Sequence, residues 1–62
     1  METTLHKRLK RLREQARELP LQHRIEAQIA LHWAAVALAE ERPNIAKREI
    51  RIAVDIILRH NA

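Results

Sequence analysis

The stretch AQIALHWAAVALA, residues 27–39, constrains the fold more than any other part of the chain, because only Gln28 and His32 in it carry polar side chains. On a helix, its larger residues and those just before it fall into two rows on opposite sides of the axis. The first row is Leu21, Ile25, Ile29, His32, Val36 and Ala39, and the second is Ala27, Leu31, Ala34 and Leu38. A helix with two opposed apolar rows needs neighbours on both sides. The pattern therefore predicts the central helix of a small bundle.

The chain has 62 residues and no cysteine, so we expect a single helical domain over residues 1–62. A domain of this size buries only about 60% of its unfolded surface, and many such domains add disulfides, a metal or a partner chain. Disulfides and thiolate zinc sites are excluded by composition. Regular helix packing or self-association remains as the source of stability.

Two prolines divide the chain into three predicted helices, over about 3–19, 21–41 and 45–60, which gives an all-α fold. Because the chain lacks glycine, its turns must be made by Pro20, Pro43 and Asn44. A single helix kinked at Pro20 is the alternative. The apolar face changes phase at Pro20, however, and this favours two antiparallel helices.

Helix 1 has one apolar seam with spacing 4, 3, 4, 3, typical of coiled-coil-like packing. The seam is Leu5, Leu9, Leu12, Ala16 and Leu19. Thr3 or Thr4 is a candidate N-cap, because a hydroxyl there accepts a hydrogen bond from an unpaired backbone N–H.

Helix 3 is the least strongly indicated, because Ile50 to Ile56 alternates like a strand and is rich in β-branched residues. A lone strand would have no partner for its backbone hydrogen bonds, so we expect a helix with Asn44 as N-cap. Arg51 and Asp55 then form an ion pair four residues apart.

Helices 2 and 3 carry more apolar surface than a monomeric three-helix bundle can bury. Closed two-fold association is the commonest way to cover such a surplus. We therefore expect an oligomeric helical bundle, a homodimer above all, and a non-enzymatic module of assembly or scaffolding. The expected oligomer interface is Ala27, Leu31, Trp33, Ala34, Leu38, Ile45, Ile52 and Ile56.

His32 lies in the middle of the first apolar row of helix 2. A buried, hydrogen-bonded imidazole is one interpretation, and a pH-sensitive position is the other, because protonation of a buried neutral histidine would oppose assembly. The four histidines show no ligand spacing along the sequence, so no metal site is predicted.

The net charge is +4, and residues 1–19 hold six basic residues against three acidic ones. Cations near the start of a helix oppose its dipole, so this placement suggests an acidic partner. The alternative function is therefore a small basic regulatory protein that binds nucleic-acid backbone through helix 1. Its candidate residues are Lys7, Lys10, Arg11, Arg13 and Arg17. Peripheral attachment to an anionic membrane is a third possibility, although helix 1 has no aromatic anchors.

Catalysis and cofactor binding have little support in the composition. The chain has no serine or cysteine nucleophile, and without glycine it has no phosphate-cradling loop or dinucleotide fingerprint. We expect no enzyme, no cofactor and no small-molecule substrate. A helix-turn-helix with Arg48 and Arg51 in a DNA groove is disfavoured, because helix 3 has too little polar surface to leave the core.

The apolar run is too short to span a membrane, and the basic N-terminus has no apolar core after it. We therefore expect a soluble cytoplasmic protein. A de novo design is compatible with these features, although turns without glycine and cations at a helix start depart from design rules.

Overall fold

The computed structural model describes residues 4–61, which form three α-helices joined by short turns. The helices are α1 (Thr4–Ala16), α2 (Leu21–Ala39) and α3 (Pro43–Asn61). The described part of the chain has no strand, so Ile50 to Ile56 is helical and the all-α prediction is confirmed. α2 packs against both other helices, and its contact with α3 is the most extensive in the bundle. Helix 2 is therefore central, as predicted.

α1 ends at Ala16, three residues earlier than predicted, because the residue before a proline is disfavoured in helical geometry. The N–H groups of Glu18 and Leu19 donate to the carbonyls of Gln15 and Ala16, which tightens the last turn. Leu19 stays buried although it lies outside the helix. The predicted seam is otherwise confirmed, with Leu5 half-buried against the core. Thr4 belongs to the helix, and Thr3 lies outside the described residues.

The turn between α2 and α3 is a Schellman motif in which Glu41 takes the left-handed conformation, with φ 59°. The Arg42 N–H donates to the Ala37 carbonyl at 2.8 Å, and the Glu41 N–H donates to the Leu38 carbonyl at 3.1 Å. Glycine is the usual residue at this position. A chain without glycine must place a residue with a Cβ atom there, and the sequence pattern does not indicate which one.

α3 begins at Pro43, two residues earlier than predicted. Proline is favoured in the first turn of a helix, because its missing N–H would have no partner there. The Ala46 N–H donates to the Arg42 carbonyl at 3.1 Å, so Arg42 occupies the cap position that we expected for Asn44.

Several small side chains are buried on the core-facing sides of α2 and α3, and we call them the alanine seam. Its members are Ala27, Ala30, Ala34 and Ala37 of α2 with Ala46 and Ala53 of α3, all buried. Their spacing of 3, 4, 3 on α2 and the spacing 4, 3, 4 of Ala46, Ile50, Ala53 and Ile57 on α3 are those of a coiled-coil contact. Alanine at these positions lets the two backbones approach closely.

The first prediction concerns the left-handed turn residue. Replacing Glu41 by glycine removes the conflict between Cβ and the carbonyl oxygen, so E41G should raise the free energy of unfolding by about 0.5–1 kcal/mol. Urea denaturation followed by circular dichroism, at one fixed protein concentration, measures the change.

The matched control is E40G, because Glu40 has φ −87° and gains nothing from glycine. E40G should leave stability unchanged or lower it. Equal effects of the two substitutions would contradict the interpretation.

Candidate interaction surfaces

Residues 4–61 expose more large apolar side chains than they bury. Seven are exposed: Leu21, Ile25, Ile29, Trp33, Ile45, Ile52 and Leu58. Six are buried: Leu9, Leu12, Leu19, Leu31, Ile50 and Ile57. The other buried apolar residues are alanines, which remove little surface from water. The surplus of apolar surface inferred from the sequence is therefore present on the folded chain.

The exposed apolar side chains of α2 lie on the opposite side of the helix from the row that we predicted as the oligomer interface. Ala27, Leu31 and Ala34 are in the chain's own core and Leu38 is half-buried, so a second chain cannot reach this row while the bundle is folded. The physical reason is the size of the side chains in the two rows. The alanines of the second row fit a close contact with α3, whereas the bulky first row does not.

The first row faces solvent along the whole length of α2. Leu21 is 62% exposed, Ile25 48% and Ile29 54%, and Val36 is half-buried. Trp33 lies beside this row and is 54% exposed. We call Leu21, Ile25, Ile29, Trp33 and Val36 the α2 face.

The α2 face continues onto one flank of α3. A shallow depression of about 210 Å³ joins Trp33 and Val36 to Ile45 and Glu49. Ile52 is exposed and Ile56 half-buried, and helical spacing places both on the same flank of α3 as Ile45. Four predicted interface residues, Trp33, Ile45, Ile52 and Ile56, therefore lie on or beside this surface.

His32 is exposed beside the α2 face and is not buried within the chain. Its ring packs against Trp33 edge to face, with 5.5 Å between centroids and 71° between planes. On its other side, a small depression brings it together with Arg13 of α1 and with Arg17 in the turn after α1. The imidazole thus lies at the border between an apolar surface and a basic one.

The five cations that we predicted for an anionic partner, four on α1 and one just after it, are all exposed. They are Lys7, Lys10, Arg11, Arg13 and Arg17. The ion pairs found within residues 4–61 are Arg42–Glu40 at 3.7 Å and Arg59–Asp55 at 2.7 Å, and neither involves these side chains. The predicted Arg51–Asp55 pair is wrong, because the Asp55 carboxylate binds Arg59, one turn further on.

Folding also brings together two histidines that are distant in the sequence. The rings of His23 and His60 are 5.7 Å apart between centroids, at the end of the bundle where α2 begins and α3 ends. Structural zinc sites use four ligands and catalytic ones at least three. No group of three possible ligands occurs among the described residues.

The interior of the described chain contains no buried polar or charged side chain. None of its helices is both long and apolar enough to cross a membrane. The features with functional potential are therefore surfaces: the α2 face and the cations of α1 and α3.

The comparisons with known proteins add no relative. The chain matches no protein-family model, no curated protein and no solved structure. Its function must be argued from the chemistry and placement of its own residues.

Proposed function

We propose that the protein is a self-associating helical module and that two copies pack through their α2 faces. The observation that carries this proposal is the row of large, exposed apolar side chains along α2, which is 19 residues and so about 28 Å long. Exposed apolar surfaces that are contiguous over such a length mark interaction sites.

A second copy is the occupant that this surface fits best, because the row is self-complementary. A two-fold axis through Ile29 brings Leu21 of one copy level with Ala37 of the other. It also brings Ile25 level with Trp33, since these pairs lie equally far from Ile29 along the helix. At the central levels of this antiparallel pair Ile29 meets Ile29 and Ile25 meets Trp33, whereas Leu21 at each end lies level with the small side chain of Ala37.

The distribution of charge supports the same occupant. The chain carries a net charge of +4, so two copies repel each other unless their cations stay apart. The α2 face has no lysine or arginine of its own. The ionisable residues around it are Glu26, His32 and Glu40 of α2, with Arg42 and Glu49 across the adjoining depression, and Arg42 pairs with Glu40 at 3.7 Å. Packing through this face keeps the basic α1 helices of the two copies away from the contact.

The surface of the chain is also large enough for a contact of standard size. A standard protein interface covers about 800 Å² on each partner, which is roughly a sixth of the 4916 Å² accessible surface of this chain. The α2 face with Ile45 and Ile52 of α3 supplies the apolar centre of such an interface.

The proposal predicts a dimer that a charge on the α2 face disrupts. Sedimentation equilibrium at micromolar concentration should give twice the 7.3 kDa chain mass. I29D should weaken dimerisation by at least about tenfold, because the symmetric contact buries the new carboxylate twice. Ile29 is exposed in the single chain, so helical circular dichroism should be retained.

The matched control is L58E. Leu58 is as exposed as Leu21, but helical spacing places it on the other flank of α3. L58E should leave the dimer mass unchanged. A monomer across the micromolar range, or equal disruption by both variants, would refute the proposal.

Dimerisation should also depend on pH through His32. Histidines gain charge between pH 8 and 5, and a charge beside the apolar contact opposes burial. The charged groups around His32 are Arg13 of α1, Arg17 of the turn that follows α1, and Glu26 of α2 near the same face. The dissociation constant should therefore rise several-fold from pH 7.5 to pH 5.5. H32Q should remove most of this rise, and a rise of the same size in H32Q would exclude His32 as its source.

The second candidate function is binding of nucleic-acid backbone through α1. The observation that favours it is that Lys7, Lys10, Arg11, Arg13 and Arg17 are exposed and form no ion pair with the described residues. Such cations neutralise phosphates and release counter-ions without reading bases.

This function predicts binding to labelled duplex DNA at low salt that weakens steeply as salt increases. Replacing both Arg13 and Arg17 by glutamate should reduce the slope of log affinity against log salt by about 2. Fluorescence anisotropy measures both quantities. The charge-matched control replaces Arg42 and Arg59 by glutamate, and it should keep the slope. Absence of binding at low salt would refute the function.

A further inference from the structure

The structure assigns a second binding site to the cleft between α1 and α3. The cleft has a volume of about 380 Å³ and is lined by Leu5 and Arg8 of α1 and by Lys47, Ile50, Arg51 and Val54 of α3. We propose that it binds a phosphate monoester whose substituent is apolar or aromatic. The proposal does not depend on self-association. It also uses none of the cations assigned above to nucleic-acid binding.

Three cationic side chains from two helices meet at this cleft. Arg8 comes from the second turn of α1, and Lys47 and Arg51 lie one turn apart on α3. No acidic residue within residues 4–61 lines it. Lysine and arginine four residues apart on a helix repel each other, so folding gains nothing from this arrangement.

Within residues 4–61, the acidic side chains of α3 that could neutralise these cations are engaged or directed elsewhere. Asp55, one turn from Arg51, binds Arg59 at 2.7 Å. Glu49 lines the depression beside Trp33, on the opposite flank of α3. The positive charge of the cleft is therefore left for an external anion.

A neighbouring depression extends the positive surface. It has a volume of about 220 Å³, shares Lys47 and Arg51 with the cleft, and adds Asn44 and Arg48. α1 and α3 both begin at this end of the bundle, so the positive ends of two helix dipoles reinforce the side-chain charges.

The lining of the cleft indicates the rest of the ligand. Leu5 and Val54 are half-buried and Ile50 is buried, so the floor is apolar while the rim is cationic. Guanidinium groups bind phosphate oxygens through two parallel N–H bonds. A phosphate on the rim with an apolar or aromatic group on the floor matches both parts.

The test is a ¹H–¹⁵N and ¹H–¹³C NMR titration of the intact chain at low salt, with adenosine 5′-monophosphate as probe. The expected result is saturable shifts of the Leu5 and Val54 methyl groups and of the Arg8 and Arg51 Nε–H signals. Adenosine without the phosphate should cause none of these shifts. Inorganic phosphate should shift the arginine signals at higher concentration and leave the methyl groups unchanged.

A pair of variants locates the site. Replacing Lys47 and Arg51 by glutamine should weaken binding of the nucleotide at least tenfold. Replacing Lys10 and Arg13 by glutamine removes the same charge from the outer surface of α1 and should leave binding unchanged. These four side chains are exposed, so both variants should retain the wild-type spectrum away from the substitutions.

Three results would overturn the proposal. They are shifts confined to the outer cations of α1, equal binding of adenosine and its monophosphate, and binding of a short oligonucleotide without binding of the mononucleotide. The first and the third result would both be consistent with nucleic-acid binding through α1. Binding of duplex DNA without chemical-shift changes in the cleft would support that function and reject the phosphate monoester site.

Discussion

The structure depends on the close contact between α2 and α3 along the alanine seam. Four alanines of α2 and two of α3 remove the side-chain volume that usually separates two helices. The two backbones then pack closely and the Schellman turn at Glu41 joins them. α1 packs differently, through larger side chains such as Leu9 and Leu12. The bundle is thus a close pair of antiparallel helices, α2 and α3, with α1 packed against both of them.

The alanine seam contributes little hydrophobic stabilisation, because an alanine removes far less apolar area from water than a leucine or isoleucine does. The large residues of α2, Ile25 and Ile29 among them, are directed away from the seam and remain in solvent. The same choice of residues therefore creates both the close helix pair and the exposed apolar face. A core with few large side chains and an exposed apolar surface are two results of one packing arrangement.

The sequence was sufficient for the all-α fold, the two chain breaks and the seam of α1, because proline positions and heptad spacing are strong local signals. It was not sufficient to decide which row of α2 faces inward. Both rows are apolar, and the choice depends on how side-chain size fits the surface of α3, which sequence periodicity does not encode. Ala30 and Ala37 were missed for the same reason, since an alanine on a helix is a weak indication of burial.

The sequence indicates some of the candidate sites but not others. The exposed cations of α1 follow directly from the sequence, as residues off an apolar seam. The cleft of Arg8, Lys47 and Arg51 does not, because it exists only once α1 is laid beside α3. The ion pair of Asp55 was assigned to the wrong arginine, since Arg51 and Arg59 are both four residues away and only the packed structure distinguishes them.

In a three-helix bundle, the groove between two helices lies across the bundle axis from the outer face of the third. The cationic cleft between α1 and α3 therefore lies diametrically opposite the α2 face. A dimer closed on its α2 faces would display two such clefts pointing in opposite directions. Such a dimer would be bivalent. Two anionic ligands bound to it would be held apart by the thickness of both bundles, and a weak single-site affinity would become strong for any object that carries several such groups.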